Sequence, residues 1–449
     1  SGQSNMVGFG KVNGAGDGTL ETMTVEQNKF PDLIDNSDAW TTRQDVRYRG
    51  VISDFADVQL SPGSLGSNFG PELGFGYVMG WHHDEPVLLI KSCTGNRSLG
   101  WDCLPPGSVS YLYNGTNFAG YGGWGNWPEG GSPPTSGSWY AGKEFDRFFM
   151  DESTWAHTEP GDFNVVDILD DFATEYPDWA GQGFEIAGFV WWQGDKDRYD
   201  LGYATRYEVN LVNLIDSLRD YYENRYPGQV VDDAPFVLAT LGQTPLNSTN
   251  TAEKAILDAQ LAVDGETGNY PQYAGNVKTV YSHPLSQGGA SNSHYNGHAE
   301  TYLLVGDALG RAMVDLQSGG DYDAWASQYA TTGVDLSDPN ADLTGNGWTN
   351  NEARLFGLDP TSGTSVSPIS VPLDAGTGTF SYTRRDASLT GATYEIWTST
   401  TLEPGSWVKD TSAVQTPGAP DADNIETVMV TLSATPVGGR LYAQVRAIE

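Results

Sequence analysis

A serine among small and amide residues stands near the start of the chain, in Ser1-Gly2-Gln3-Ser4-Asn5-Met6. Where a strand hands over to a helix, such a serine exposes its hydroxyl and turns its backbone N–H toward the same spot. That arrangement suits nucleophilic attack with an anion-stabilising donor alongside. The plainer reading is a surface serine in a polar loop. A hydroxyl nucleophile needs a base, and histidine titrates in the useful range. The chain has six histidines: His82, His83, His157, His283, His294 and His298. His294, in Ser293-His294-Tyr295-Asn296-Gly297-His298, stands just before an amphipathic segment and is the candidate base. In Cys93-Thr94-Gly95-Asn96-Arg97-Ser98-Leu99, the glycine follows an apolar run. It allows close backbone approach and a second N–H donor, or it is an ordinary turn. In Trp191-Trp192-Gln193-Gly194-Asp195-Lys196-Asp197, Gln193 offers an amide N–H to an oxyanion, and Asp195 or Asp197 a carboxylate that orients a histidine. The plainer reading here is a charged, solvated loop.

These segments need elements to hold them. Residues Pro86–Lys91, Ile186–Trp192, Pro235–Leu241 and Val277–Ser282 read as buried strands. Val165, Ile168, Leu169 and Phe172 recur at helical spacing, as do Tyr207, Leu211, Leu214, Ile215 and Leu218. Further helices are expected over Ala252–Val263 and Ala299–Leu316. Strands alternating with helices predict an α/β fold, a three-layer parallel sheet flanked by helices. Ligands in such sheets bind at the carboxyl ends of the strands, where the four segments fall. Residues 104–140 interrupt the alternation with a Gly-, Pro- and aromatic-rich stretch. It is either an irregular surface loop or one wall of a cleft. In the second case Trp124, Trp127 and Trp139, with Arg97, are candidate substrate-binding residues.

The balance of 58 acidic against 23 basic residues, a net charge of −35, excludes the phosphate neutralisation on which nucleic-acid binding rests. It also disfavours a strongly anionic polysaccharide and favours a neutral or acetylated glycan. No run of eighteen apolar residues predicts a membrane span. A local disulfide between Cys93 and Cys103 is expected over two buried thiols, in keeping with a secreted or extracellular protein, periplasmic or cell-surface placement included.

Together, GQSNM, the glycine turn after the next strand, WWQGD-x-D and HYN before a last helix resemble the SGNH hydrolase superfamily. More closely, they resemble its sialate O-acetylesterase-like and acetylxylan-esterase-like carbohydrate esterases. The resemblance covers residues 1–316 and implies the flavodoxin-like form of the α/β sheet. It implies an esterase using no cofactor, acting on an oligosaccharide or polysaccharide. Ser4 would be the nucleophile and first oxyanion donor, Gly95 and Gln193 the other donors, and His294 the base. The acid that the family often carries three residues before the histidine is Ser291 here, so Asp195, or failing that Asp197, is expected to replace it. The strand that precedes GQSN in the family is expected either from residues ahead of Ser1 or from another chain, in a homo-oligomer or an assembly. A catalytically silent structural protein, or a glycan-binding protein keeping the hydrolase fold, is the alternative.

After Leu316 the composition shifts. Residues 317–364 read as a linker and 365–449 as an accessory β-sandwich-like domain. Within the linker, Asp342, Thr344, Asn346, Trp348 and Asn350 occupy alternate positions around Gly347. This resembles the calcium loops of dockerin-like and EF-hand-like repeats, which implies a structural calcium ion. The alternative is an Asx-rich turn between two domains.

Overall fold

The apolar runs that alternate with amphipathic segments build one sheet in the first part of the chain. The computed structural model describes all residues except Ala15, Asp84, 318–321, 323–324, 327, 330–333, 335, 337, Ala375, Gly391, Leu402, Pro404, 434–440 and Glu449. It divides into two units, Ser1–Leu316 and Gln317–Glu449.

In the first unit the chain runs through α1 (Ser4–Val7), β1 (Arg43–Ile52), β2 (Asp57–Leu60), α2 (Glu72–His82) and β3 (Val87–Cys93). Next come β4 (Tyr111–Tyr113), β5 (Thr116–Phe118) and β6 (Trp127–Pro128), then α3 (Lys143–Phe149) and α4 (Val165–Asp170). It continues with β7 (Phe189–Trp192), α5 (Leu201–Arg225), β8 (Phe236–Ala239), α6 (Thr251–Ala262), β9 (Val277–Val280) and α7 (Ala299–Gln317). Strands β1 and β3 are parallel, with β2 antiparallel at the edge. Strands β7, β8 and β9 are parallel, with Phe236 aligned on Phe189 and Val277. Between the two groups lies Gly2, which pairs in the parallel sense with both Cys93 and Trp192. Around it the Trp192 N–H donates to the Ser1 carbonyl at 3.0 Å and the Gln3 N–H to the Trp192 carbonyl at 3.3 Å. The central position that precedes Ser4 is therefore occupied at its carboxyl end by the chain's own first two residues.

Period-two alternation sends successive strand residues to opposite faces. Trp191, Phe236 and Leu238 join Leu211, Leu214, Leu218 and Ile256 from α5 and α6. Trp192, Val237 and Ala239 join Leu73, Leu303 and Leu309 from α2 and α7. Each large apolar side chain so buried contributes about 1.5–3 kcal/mol. Helix α2 and helix α7 meet backbone to backbone: a Cβ on Gly74 would stand 2.2 Å from the Leu303 carbonyl oxygen. The same two faces explain why the expected disulfide is absent. Cys93 packs in the core with α2 and α7, Cys103 in the core with α5 and α6, and both are buried free thiols. Burial pushes both thiol pKa values up. Residues 104–140 are not wholly irregular, since β4, β5 and β6 form a small antiparallel sheet. Among the described residues no helix is long and apolar enough to cross a membrane.

In the second unit, α8 (Asn350–Phe356) precedes β10 (Ile369–Asp374), β11 (Thr379–Arg385), β12 (Thr393–Ser399), β13 (Val408–Lys409), β14 (Val414–Pro417), β15 (Ile425–Thr431) and β16 (Tyr442–Ile448). They form one sheet of order β10-β11-β15-β14 and another of order β13-β12-β16. Phe380, Tyr382, Val428 and Val430 of the first share a core with Tyr394 and Ile396 of the second, capped by Leu355 and Phe356 of α8. That is a sandwich of two antiparallel sheets.

The linker loop folds on itself ahead of α8. The Asp342 carboxylate accepts the backbone N–H groups of Asn346 at 3.1 Å and Gly347 at 2.9 Å. Asn346 Oδ1 accepts the Trp348 N–H at 2.8 Å, and its Nδ2 donates to the Ser362 carbonyl at 2.8 Å. Thr349 and Glu352 then form a capping box, with Asn350 as the first residue of α8. Trp348 packs against Phe356, and Asn350 Nδ2 donates to the Asp338 carbonyl at 2.8 Å. Among the described residues no group of three or more His, Cys, Asp or Glu side chains is placed to hold a metal ion; a calcium ion held by amide, hydroxyl and carbonyl oxygens is not decided by this. Linker residues 318–321 lie outside the described residues.

Candidate active site

Ser4 is the first residue of α1, directly after the Gly2 pairing at the carboxyl end of the sheet, and is buried. As the first helical residue it has no intrahelical acceptor for its N–H, and no other acceptor takes it among the described residues. Gly95 lies alongside: a Cβ built on it would stand 3.7 Å from the Ser4 Cβ. The Gly95 N–H likewise has no acceptor among the described residues. Two neighbouring residues thus each leave a backbone donor without an acceptor among the described residues.

The other end of α1 is held by a buried ion pair. Lys91 on β3 donates to the Val7 carbonyl at 2.9 Å and pairs with Glu72 at 2.9 Å. Glu72 in turn accepts the Gly70 N–H at 2.8 Å. Gln3, the residue before Ser4, reaches sideways. Its Oε1 accepts Gln193 Nε2 at 3.0 Å and the Lys196 N–H at 3.1 Å, which joins the Ser4 turn to the loop after β7.

His294 lies in the segment Ser291–Gly297, which packs on α1. His294, Tyr295 and Asn296 all adopt left-handed backbone, with φ of 52°, 50° and 51°. Such a run is costly for residues with a Cβ and persists when its surroundings fix it. Two contacts do so. The Phe9 ring lies face to face with the imidazole, centroids 3.9 Å apart and planes 7° from parallel. The Tyr302 hydroxyl lies 3.2 Å from the His294 carbonyl oxygen and 3.1 Å from Asn5 Oδ1, bridging the backbone of His294 to the residue after Ser4. Neither imidazole nitrogen is hydrogen-bonded among the described residues. Burial lowers the His294 pKa, with the Asp195 charge acting against it, so the neutral, proton-accepting form is favoured.

The remaining expected residues do other work. Gln193 does not turn a free N–H toward Ser4. Its Nε2 lies 2.7 Å from Asp197 Oδ2, 2.9 Å from the Arg97 carbonyl and 3.0 Å from Gln3 Oε1, while its Oε1 accepts the Tyr207 hydroxyl at 2.8 Å. Asp197 is fully buried and accepts the N–H groups of Leu99 at 2.9 Å and Gly100 at 2.7 Å. Burial raises its pKa to about 6 against the pull of those hydrogen bonds. It therefore fastens the Ser98–Asp102 turn rather than a histidine. Asp195 acts on His294 through its charge, and no hydrogen bond joins the two among the described residues. Its Oδ1 accepts Arg198 Nε at 2.8 Å and the Ser291 hydroxyl at 2.8 Å. Arg198 also reaches Glu253, 3.2 Å away.

Arg97 is tied to Glu144 at 2.7 Å and to the Gly95 carbonyl at 3.3 Å, so it braces the glycine turn. Trp139 carries Arg97 and Lys143 over its ring, at 5.2 and 4.8 Å from the centroid. Trp124 packs against His157 with centroids 4.0 Å apart and planes tilted by 35°, and Trp127 packs against the cluster of Leu104, Ala119 and Ala141. The three tryptophans therefore have protein partners and do not form a bare platform. Gln3, Phe9, Lys91 and Tyr302 went unread in the sequence. Phe9 and Tyr302 resemble any core aromatic there, and only Gln3, inside GQSN, carried a local signal.

No family model matches the chain, and no curated protein matches it. Solved structures do. One is a protein from Arabidopsis thaliana, 15% identical, with a TM-score of 0.36, covering 70% of this chain and 95% of its own. Another is a carbohydrate acetylesterase from Xanthomonas citri, 12% identical, with a TM-score of 0.36, covering 97% of this chain and 71% of its own. Both superpositions are loose, so the chemistry of the site rests on its own geometry.

Proposed function

We propose that the first unit is a serine esterase that removes acetyl groups from a glycan. The observation that supports this reading is that Gly95 lies alongside Ser4, that neither backbone N–H has an acceptor among the described residues, and that the segment carrying His294 packs on α1. In this reading Ser4 Oγ attacks the acetyl carbonyl while His294 takes its proton. The carbonyl oxygen, now negative, lies between the Ser4 and Gly95 N–H groups. Collapse expels the sugar hydroxyl, protonated by His294, and leaves an acetyl ester on Ser4. Water, deprotonated by His294, then releases acetate. No hydrogen bond joins Ser4 to His294 among the described residues, and such bonds commonly tighten only when substrate is bound.

The acetyl group and the glycan are inferred from the GQSN, WWQGD and HYN segments, which resemble the SGNH carbohydrate esterases. The strongly acidic surface suits a neutral substrate. Hydrolysis of p-nitrophenyl acetate and release of acetate from acetylated xylan, each compared with Ser4→Ala, test the reading. Turnover by the wild type and none by the variant supports it. Equal inertness of both on every acetyl ester overturns it in favour of a silent hydrolase fold.

A further inference from the structure

Phe9 is five residues beyond Ser4, and its ring covers one face of the His294 imidazole at 3.9 Å and 7°. The nitrogens of that imidazole have no hydrogen-bond partner among the described residues. A ring face carries negative quadrupole density and attracts a cation placed over it. A proton arriving on His294 places such a cation there. We propose that Phe9 is a positioning residue for the base, which holds the imidazole in plane and stabilises its protonated form through the ring face, in the place where an esterase ordinarily sets a hydrogen-bonded carboxylate.

Three observations carry this. First, the stack is nearly parallel, so the ring and the imidazole share a large face rather than an edge. Second, the carboxylate that acts on His294, Asp195, has its Oδ1 engaged by Arg198 and Ser291. Third, His294 sits in a run of left-handed residues, and the Tyr302 hydroxyl holds only its backbone carbonyl. Orientation of the side chain is thus left to Phe9. The charged group that acts on the imidazole is Asp195, with Arg198 bound to that carboxylate. Because Phe9 belongs to the stretch that leaves α1, it also couples the base to the nucleophile's own segment.

The inference rests on His294 being the base, but its test does not need turnover. The imidazole resonances of the full chain are titrated by NMR, with His294 assigned by the signal lost in His294→Gln. Phe9→Leu keeps apolar cover and removes the quadrupole, so the His294 pKa should fall by about 0.4 to 1 unit. Phe9→Tyr, which keeps the ring face, should restore it. A His294 pKa that stays or rises in Phe9→Leu, or that falls equally in Phe9→Tyr, overturns the proposal. Thermal melts establish that each variant is folded. If Phe9→Leu does not fold, Phe9→Trp takes its place, and a His294 pKa that fails to rise overturns the proposal. Should the wild type hydrolyse no acetyl ester, the proposed function falls, while the titration still decides the role of Phe9.

Discussion

Two neighbouring regions at the carboxyl end of the sheet differ in one respect. Around Gln193 and Asp197, donors meet acceptors: Gln193 Nε2 has three, and Asp197 takes two backbone N–H groups besides. Around Ser4, the Ser4 and Gly95 N–H groups and both His294 nitrogens are left without protein partners among the described residues. Buried polar groups are ordinarily satisfied. Matched groups fix a shape; the unmatched ones belong to half-buried Gly95 and His294 and to Ser4, where solvent or a ligand can reach them. The WWQGD segment is thus framework, and the chemistry is proposed for the GQSN and HYN segments.

The comparison can be broken from the unmatched side first. Ser4→Ala or His294→Gln should lower kcat/KM for an acetyl ester by about four orders of magnitude or more, with the melting temperature little changed. Steady-state kinetics checks this, and a loss under tenfold would move the chemistry elsewhere. Asp195→Asn tests a group between the two regions. It acts on His294 by charge and is clamped by Arg198 and Ser291, so the expected loss in kcat is about 10- to 100-fold. A loss as large as that of His294→Gln would mean that a direct hydrogen bond forms during turnover.

On the matched side the effect should appear in stability. Asp197→Asn sets an NH₂ group against the donors of Leu99, Gly100 and Gln193, which costs about 1–3 kcal/mol in urea unfolding. The smallest effect concerns pH. Burial lowers the His294 pKa below its ordinary 6.5. Protonation removes the base, so kcat/KM should be flat above that value and fall with unit slope only at lower pH. An acid limb centred above 6.5 would contradict the assignment.

Much of the fold was legible in the residues. The runs ending in β3, β7, β8 and β9 are apolar on both faces because both faces are covered. The amphipathic segments that became α5, α6 and α7 show their periodicity openly. Strand β1 was not legible, since Arg47 and Arg49 break its apolar pattern. They are accommodated by Asp57 and Glu175, which lie far apart in the chain. Helix α2 was hidden by Gly74, Gly76 and Gly80, which lower helix propensity yet let neighbouring elements approach. At the site, the placement of Ser4 and Gly95 side by side at the carboxyl end of the sheet could be read from local pattern. The partners of Gln193, Asp195 and Asp197 could not, because each is held by a residue between 96 and 190 positions away: Gln3, Ser291, and Leu99 with Gly100. The Cys93–Cys103 spacing suggested a bridge for the same reason: spacing does not reveal that a sheet passes between two side chains.

The central claim is that Ser4 is a nucleophile held beside two free donors and a free base. Its most direct test is covalent labelling of the intact chain with a fluorophosphonate, which phosphonylates activated serines, followed by mass mapping of the modified peptide. The account predicts one adduct, on Ser4, formed faster as His294 loses its proton and absent in His294→Gln. Labelling at another residue, or an untouched Ser4 in folded protein, would contradict it.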